Sequence, residues 1–237
     1  MSKSKVDILS QMMEGKSAIE ILKIAENEFG DKIKFASSMG AEDQVITHMM
    51  MAGLKSKMGI FTLDTGRMFY EIFELIEKTE ARYDIKIEIL FPDTAQTEKM
   101  VNEKGINLFY KSIENRKQCC TVRKIEPLKK ALKGLDGWIT GLRRAQSPTR
   151  KNMMPVEWDE SHQIIKINPL YNWSEDQVWE YIRANKVPYN TLHDKGFPSI
   201  GCQPCTRAIQ PWEDVRNGRW WWENPETKEC GLHSRKM

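Results

Sequence analysis

The sequence predicts an α/β fold, a mostly parallel sheet flanked by helices. Two observations carry that expectation. Short apolar runs of strand length alternate with longer stretches of helical periodicity, and small or polar loops close the strands. In sheets of this kind ligands gather at the carboxyl ends of the strands, so those loops are the first place to look for function.

The elements follow in chain order. From about Val6 to Phe29, apolar residues Ile8, Leu9 and Met12, then Ile19, Leu22 and Ile24, recur at helical spacing. "KIKFASS" reads as the first strand, and "SMGAED" as a tight loop entering the helix "EDQVITHMMMAG". The strand "MGIFTLD", the turn "TGR" and the helix "MFYEIFELIEKTEARY" repeat the unit, and the strand "IKIEILF" closes at Pro92. Two helical stretches come next, "TAQTEKMVNEK" and roughly Gln118–Leu132, then the strands "GWITGL" and "IIKINPL". "SEDQVWEYIRANK" opens with a capping pattern, Ser174 three residues before Gln177. The organisation expected is one domain over residues 1–219. A mobile tail over 220–237 follows, because "NGRWWWENPETKECGLHSRKM" has no clear period.

Composition narrows the class. Of 237 residues, 36 are basic and 33 acidic, a net charge of +3, which argues against nucleic acid as a partner while leaving local arginine clusters able to hold a small anion. No run has membrane length and "MSKSKVDILSQMM" is amphipathic and charged, unlike a signal peptide, so the expected location is cytoplasmic with no membrane partner. Clustered cysteines in that compartment more often hold metal or do redox chemistry than form structural disulfides.

Three loops at strand ends are candidates. Ser37, Ser38, Gly40, Ala41, Glu42 and Asp43 put small residues at a helix N-terminus, where N–H groups and the helix dipole favour a phosphate or sulfate. Asp64, Thr65, Gly66 and Arg67 combine a carboxylate, a turn and a cation. Arg143 and Arg144, in "GLRRAQSPTR", offer guanidinium forks for bidentate anion recognition. Each loop alone is also compatible with an ordinary cap or a solvated turn; their agreement at strand ends is the stronger signal. GxGxxG and GxxxxGK[ST] are both absent, against a dinucleotide fold or a Walker-type ATPase.

The five cysteines divide unevenly. Cys119 and Cys120 are adjacent, Cys202 and Cys205 form a CxxC, and Cys230 stands alone. The two pairs together supply four thiolates, which fits zinc or an iron–sulfur cluster. Neighbouring helical residues point about 100° apart, awkward for one small ion and easier for a wider cluster. Cys230 has His233 nearby and Lys228, Arg235 and Lys236 around it; cations favour the nucleophilic thiolate. Arg216 and Arg219 precede it in "EDVRNGRWWWE".

"CCTVRKIEPL", "GCQPCTR", "VRNGRWWWE" and "ECGLH" together resemble the assimilatory sulfonucleotide reductases, the thioredoxin-dependent adenylyl-sulfate and phosphoadenylyl-sulfate reductases, from about Phe35 to His233. The resemblance implies an adenine-nucleotide α-hydrolase-like fold and a [4Fe-4S] cluster on Cys119, Cys120, Cys202 and Cys205. It further implies Cys230 as the nucleophile, with His233, Lys124, Arg216 and Arg219 as catalytic groups. The implied substrate is adenylyl sulfate and the implied reductant thioredoxin or a glutaredoxin-like protein; a homo-oligomer is expected. Many members carry Ser where this chain has Met39, a change that leaves the Gly40 and Ala41 backbone contacts in place but removes a hydroxyl. The competing readings are the same chemistry on phosphoadenylyl sulfate, an ATP pyrophosphatase or nucleotidyltransferase of the same fold, and a redox-sensing iron–sulfur or zinc protein.

Overall fold

The computed structural model describes residues 3–146 and 150–224. Its centre is a six-stranded sheet in the order β3-β2-β1-β4-β6-β5. The strands are β1 (Ile33–Ala36), β2 (Gly59–Leu63), β3 (Glu88–Leu90), β4 (Gly137–Ile139), β5 (Val156–Asp159) and β6 (Ile164–Ile167). β1 pairs in parallel with β2 and β4, β4 in parallel with β6, and β5 closes the edge antiparallel to β6. The sheet is the mostly parallel one that the alternation predicts.

β2, β4 and β6 carry consecutive buried residues and so are covered on both faces, as a parallel sheet between helices requires. Ile33, Phe35, Ile60, Phe61, Trp138, Ile139, Ile165 and Ile167 are all buried. Side chains of this size contribute about 1.5–3 kcal/mol each on burial.

The helices are α1 (Lys3–Met13), α2 (Ala18–Phe29), α3 (Ala41–His48), α4 (Tyr70–Tyr83), α5 (Thr94–Lys104), α6 (Ile113–Cys120), α7 (Glu126–Leu132) and α8 (Glu175–Asn185). The Ser174 capping box is present, Ser174 N–H donating to Gln177 Oε1 at 2.8 Å and Gln177 N–H to Ser174 Oγ at 3.2 Å. Ser112 caps α6 by accepting from Asn115 N–H at 3.1 Å.

Several boundaries differ from the sequence expectation. The stretch from Val6 to Phe29 is two helices, parted where Gly15 takes φ 67°. The helix expected from Gln118 starts earlier, at Ile113, and passes through a π-helical turn, Thr121–Ile125, before α7. β5 is not foreseen at all: Val156 alone of its four residues is buried, and the hairpin turn into β6 uses Gln163 at φ 56° where glycine would have announced it.

The chain forms two compact units, where one domain to residue 219 is expected. Of the described residues, the first holds 3–62, Phe73–Glu88 and Gly134–Asn190; the second holds Leu63–Ile72, Ile89–Lys133 and 191–224. Residues 220–224, expected in a mobile tail, are held: Trp220 is buried and its N–H donates to the Cys205 carbonyl at 3.1 Å. The remainder of that tail lies outside the described residues. Among the described residues no helix is long and apolar enough to cross a membrane.

Candidate functional site

In the first unit, the loop after β1 leads into α3 with Gly40 as its N-cap. The Asp43 carboxylate turns back into the loop and accepts from Ser38 N–H and Ser38 Oγ–H, both at 2.6 Å. Burial pushes the Asp43 carboxyl up to about 6, against the opposing pull of the Ser38 bonds. Ser37 Oγ accepts from Met39 N–H at 3.1 Å and donates to the Met39 sulfur at 3.4 Å. Met39 is fully buried at φ 60°, so its thioether packs beneath the loop. Both serine hydroxyls are therefore spent in shaping the turn. An anion there would be met chiefly by backbone N–H groups at the start of α3, in the manner of a helix N-terminus.

The arginine loop after β4 meets the same turn. A Cβ on Gly141 would fall 2.0 Å from Asp43 Oδ1, so only glycine lets the two segments touch. Arg143 is 5% exposed, and its Nε and Nη2 donate to Glu42 Oε1 at 2.8 and 2.7 Å. Gln146 Nε2 donates to the same oxygen at 2.9 Å. Arg144 faces elsewhere. Its Nε donates to the Met153 carbonyl and its guanidinium lies 4.8 Å over the Tyr171 ring. It braces the 150–154 segment, and the anion-binding expectation for it finds no support in that geometry. Ala41 is buried in the first turn of α3.

In the second unit, the turn after β2 touches the cysteines. Asp64 Oδ1 accepts from Gly66 N–H at 2.7 Å, and Gly66 takes φ 68°. Arg123 Nη1 donates to the Thr65 carbonyl at 2.6 Å and sits 3.1 Å from where a Gly66 Cβ would be. Thr65 Oγ1 is 3.3 Å from Cys202 Sγ. Arg67 reaches the Ile106 carbonyl at 3.1 Å and Asn107 Oδ1 at 2.9 Å, while its own carbonyl accepts from Gln203 N–H at 2.8 Å. This turn, read from sequence as a substrate loop, buttresses the CxxC.

Cys119, Cys120, Cys202 and Cys205 line one cavity. Arg67, Arg116, Arg123 and Lys124 line it too, with Phe109 and Pro204. The π-helical turn after Cys120 carries Arg123 and Lys124, a widened turn of a kind frequent at functional sites. Burial pushes the Cys205 thiol up to about 12 and raises Cys119 as well. Burial also pushes Cys202 upward, but Lys124, the Thr65 bond, Arg219 and Arg123 outweigh it, and the thiol ends below its ordinary value.

The donor set fits an iron–sulfur cluster. Four thiols line one cavity together with four cationic side chains. A cluster with four thiolates is wide and carries net negative charge, which the surrounding cations would compensate.

Arg219 is 8% exposed and packs where Gly201 has no side chain: a Cβ there would lie 2.3 Å from its Nη2. Its guanidinium stands 4.7 Å over the Trp220 ring, and its charge pulls both Cys202 and Cys205 downward. Arg216 is half-buried on the preceding turn, its N–H bonded to Asp214 Oδ1 at 2.8 Å. Cys230 and His233 lie outside the described residues. Sequence reasoning missed Arg116 and Glu223, whose ion pair is buried at 2.7 Å. The one available signal was Arg116 standing one helical turn before Cys120.

Comparison with known proteins agrees with this geometry. The family model described as "Phosphoadenosine phosphosulfate reductase domain" matches residues 32–208. A protein of Allochromatium vinosum named adenosine 5'-phosphosulfate reductase is 52% identical over 93% of this chain and 86% of its own length. One of the same name from Burkholderia cepacia is 50% identical over 86% of this chain and 81% of its own. Among solved structures, a phosphoadenylyl-sulfate reductase from Candida auris in a phosphate complex superimposes with TM-score 0.74 at 30% identity, covering 88% of this chain and 98% of that one. An FMN adenylyltransferase from Candida glabrata, at TM-score 0.56, 15% identity, and coverage of 95% and 75%, shares the fold alone. The adenine-nucleotide α-hydrolase-like fold is thus the observed one, and the chain belongs to the sulfonucleotide reductase family.

Proposed function

We propose that the chain reduces adenylyl sulfate to sulfite and AMP in sulfate assimilation, through an S-sulfonate on Cys230. The observation that carries this reading is the division of the thiols: four of the five cysteines face one cation-edged cavity, which leaves Cys230 as the thiol available for chemistry. The names of the two relatives near 50% identity support the substrate.

In this reading the Cys230 thiolate attacks the sulfuryl sulfur, the S–O bond to the nucleotide breaks with its electron pair leaving on AMP, and Cys230–S–SO₃⁻ remains. A thiol of thioredoxin, or of a glutaredoxin-like protein, then attacks the Cys230 sulfur and expels sulfite. The reductant's second thiol closes its own disulfide and returns Cys230 as the thiolate. Ser37–Asp43 and Arg143 shape the nucleotide end. Lys124, Arg216 and Arg219 offset the repulsion between an anionic sulfuryl group and the thiolate, each donor contributing about 3 kcal/mol where well placed. His233 orients the thiol. Cys119, Cys120, Cys202 and Cys205 would hold a [4Fe-4S] cluster, whose contribution when bound is to set the electrostatics around Lys124. The protein acts in the cytoplasm as a homo-oligomer.

The runner-up substrate is phosphoadenylyl sulfate, favoured by the Candida auris likeness at 30% identity. Steady-state kinetics decide between them. Expected is a higher kcat/KM for adenylyl sulfate than for its 3′-phosphorylated form, with sulfite release abolished by Cys230→Ser. A clear preference for the 3′-phosphorylated substrate overturns the choice of substrate, and sulfite from Cys230→Ser overturns the mechanism.

A further inference from the structure

Arg116 is fully buried, and beyond its place among the cations of the cysteine cavity it has no step in the proposed reaction. It stands on α6 four residues before Cys120, the spacing that places two side chains on one helix face. Its guanidinium bonds to Cys120 and lines the cysteine cavity. On its other side Nε and Nη2 donate to Glu223 Oε1 and Oε2 at 2.9 and 2.7 Å, a fork-to-fork pair. The Trp220 ring packs 4.9 Å beneath the same guanidinium. Glu223 N–H donates to the Trp220 carbonyl at 2.8 Å, closing the turn between the two residues.

We propose that Arg116 and Glu223 form a positioning clamp that ties the root of the Cys230 segment to the helix bearing Cys119 and Cys120. The proposal rests on the reading of Cys230 as nucleophile and gives that thiol a fixed origin. Cys230 follows Glu223 by seven residues, so the clamp limits its covalent reach to about 25 Å at full extension. Without the clamp Trp222 still packs on Tyr110 and Phe109, so the tether lengthens by at most one residue. That dilutes the thiol at its target by only about a fifth, by the −3/2 power of length. The clamp therefore acts chiefly through the direction it imposes at Glu223.

Stability alone is a poor explanation for such a pair. Buried ion pairs seldom outperform apolar residues of the same volume, and their better-attested use is to specify one arrangement among several. Here the arrangement specified is the point and direction at which the chain leaves the cysteine helix. Arg116 and Glu223 touch neither substrate nor reacting sulfur. They act through the segment they hold.

The test uses the full-length protein under anaerobic conditions. Four variants are compared with the wild type: Glu223→Gln, Arg116→Lys, the neutral pair Arg116→Met with Glu223→Leu, and the reversed pair Arg116→Glu with Glu223→Arg. Trypsin cleavage at Lys228 reads the anchor directly, and single-turnover sulfonation of Cys230 by adenylyl sulfate reads its consequence. Expected for Glu223→Gln and the neutral pair is cleavage several-fold faster and sulfonation about threefold to tenfold slower, with AMP affinity and iron content of Glu223→Gln close to wild type. The reversed pair should recover part of the sulfonation rate. Arg116→Lys keeps the charge without the fork and should fall between. Unchanged cleavage and sulfonation in a folded, iron-loaded Glu223→Gln overturn the clamp. So does a Glu223→Gln variant that loses iron, AMP affinity and rate in equal measure, since that is general structural damage. Faster cleavage in the variants, with a wild type that is never sulfonated on Cys230, leaves the anchor standing and overturns the proposed function instead.

Discussion

The turn after β1 in the first unit and the cysteine cavity in the second both gather charge around a small space, and they do so in opposite ways. At the turn, cation and anion are neighbours: Arg143 is paired with Glu42, and Asp43 is folded onto Ser38. What remains for a ligand is the backbone at the start of α3, a weak and geometrically exact recogniser of an oxyanion. In the cavity, Arg67, Arg123 and Lys124 face thiols, and the carboxylate of Glu223 is bound to Arg116. One region is neutralised in advance and keeps its shape; the other concentrates positive charge and is complete only against sulfur anions. In the proposed function, recognition of a nucleotide and stabilisation of thiolates would make those two different demands.

The largest effect should come from removing a cavity thiol. Anaerobically purified protein is expected to carry about four irons and four sulfides per chain. Cys202→Ser or Cys205→Ser should lose them, while Cys230→Ser keeps them. Metal analysis and visible absorption read the outcome; full iron in the first two variants would erase the contrast between the regions.

Next is Asp43, which tests whether the turn is as self-contained as its bonds suggest. Its folded pKa, about 6, lies above the ordinary 3.8, so the proton favours the folded state. The stabilisation is complete below the ordinary value and is lost as pH rises through about 6. Relative to Asp43→Asn, wild-type unfolding free energy should therefore fall by up to about 3 kcal/mol between pH 4 and pH 7, because each pH unit between the unfolded and folded values is worth about 1.4 kcal/mol. Urea titrations at several pH values measure it. A flat difference would mean that the carboxylate is ionised at no cost.

Arg219 and Arg216 separate by burial. Arg219→Ala should slow sulfonation at least tenfold, since a charged hydrogen bond contributes about 1.5–3 kcal/mol. Arg216→Ala is expected to be milder, as that residue is half-buried while Arg219 seats against Gly201. Equal losses in single-turnover assays would show that burial beside the cavity is irrelevant.

The smallest effect belongs to Arg144. Arg144→Ala should cost about 1 kcal/mol of stability, from its bond to Met153 and its contact with Tyr171, and leave nucleotide affinity unchanged. A tenfold loss of affinity would return it to the anion-binding set.

How much of this was legible in the sequence depends on range. The central strands were visible because β2, β4 and β6 are buried on both faces and run largely apolar. The position of the turn after β1 was visible because it ends such a strand. The use of its serines was not: Ser37 and Ser38 bond to Met39 and Asp43, and hydroxyls that shape a turn have the same letters as hydroxyls that bind a ligand. β5 was hidden by its half-exposed residues. Arg143 and Arg144 are adjacent and alike in sequence, and only the fold separates an ion pair with Glu42 from a brace on Met153. Arg116 reads as one more surface charge in "IENRKQ", because its partner is 107 residues away. The four cysteines were legible as a set because two close pairs of thiols are hard to explain one at a time.

The central claim is that four cysteines hold and one reacts. The most direct measurement is to incubate the anaerobically purified protein with adenylyl sulfate and no reductant, then weigh the intact chain and map the modified peptide. Expected is a single gain of about 80 Da, one SO₃ group in covalent linkage to a thiol, on Cys230, with the iron retained. An adduct on Cys119, Cys120, Cys202 or Cys205, or no adduct on an iron-loaded protein that still releases AMP, would contradict it.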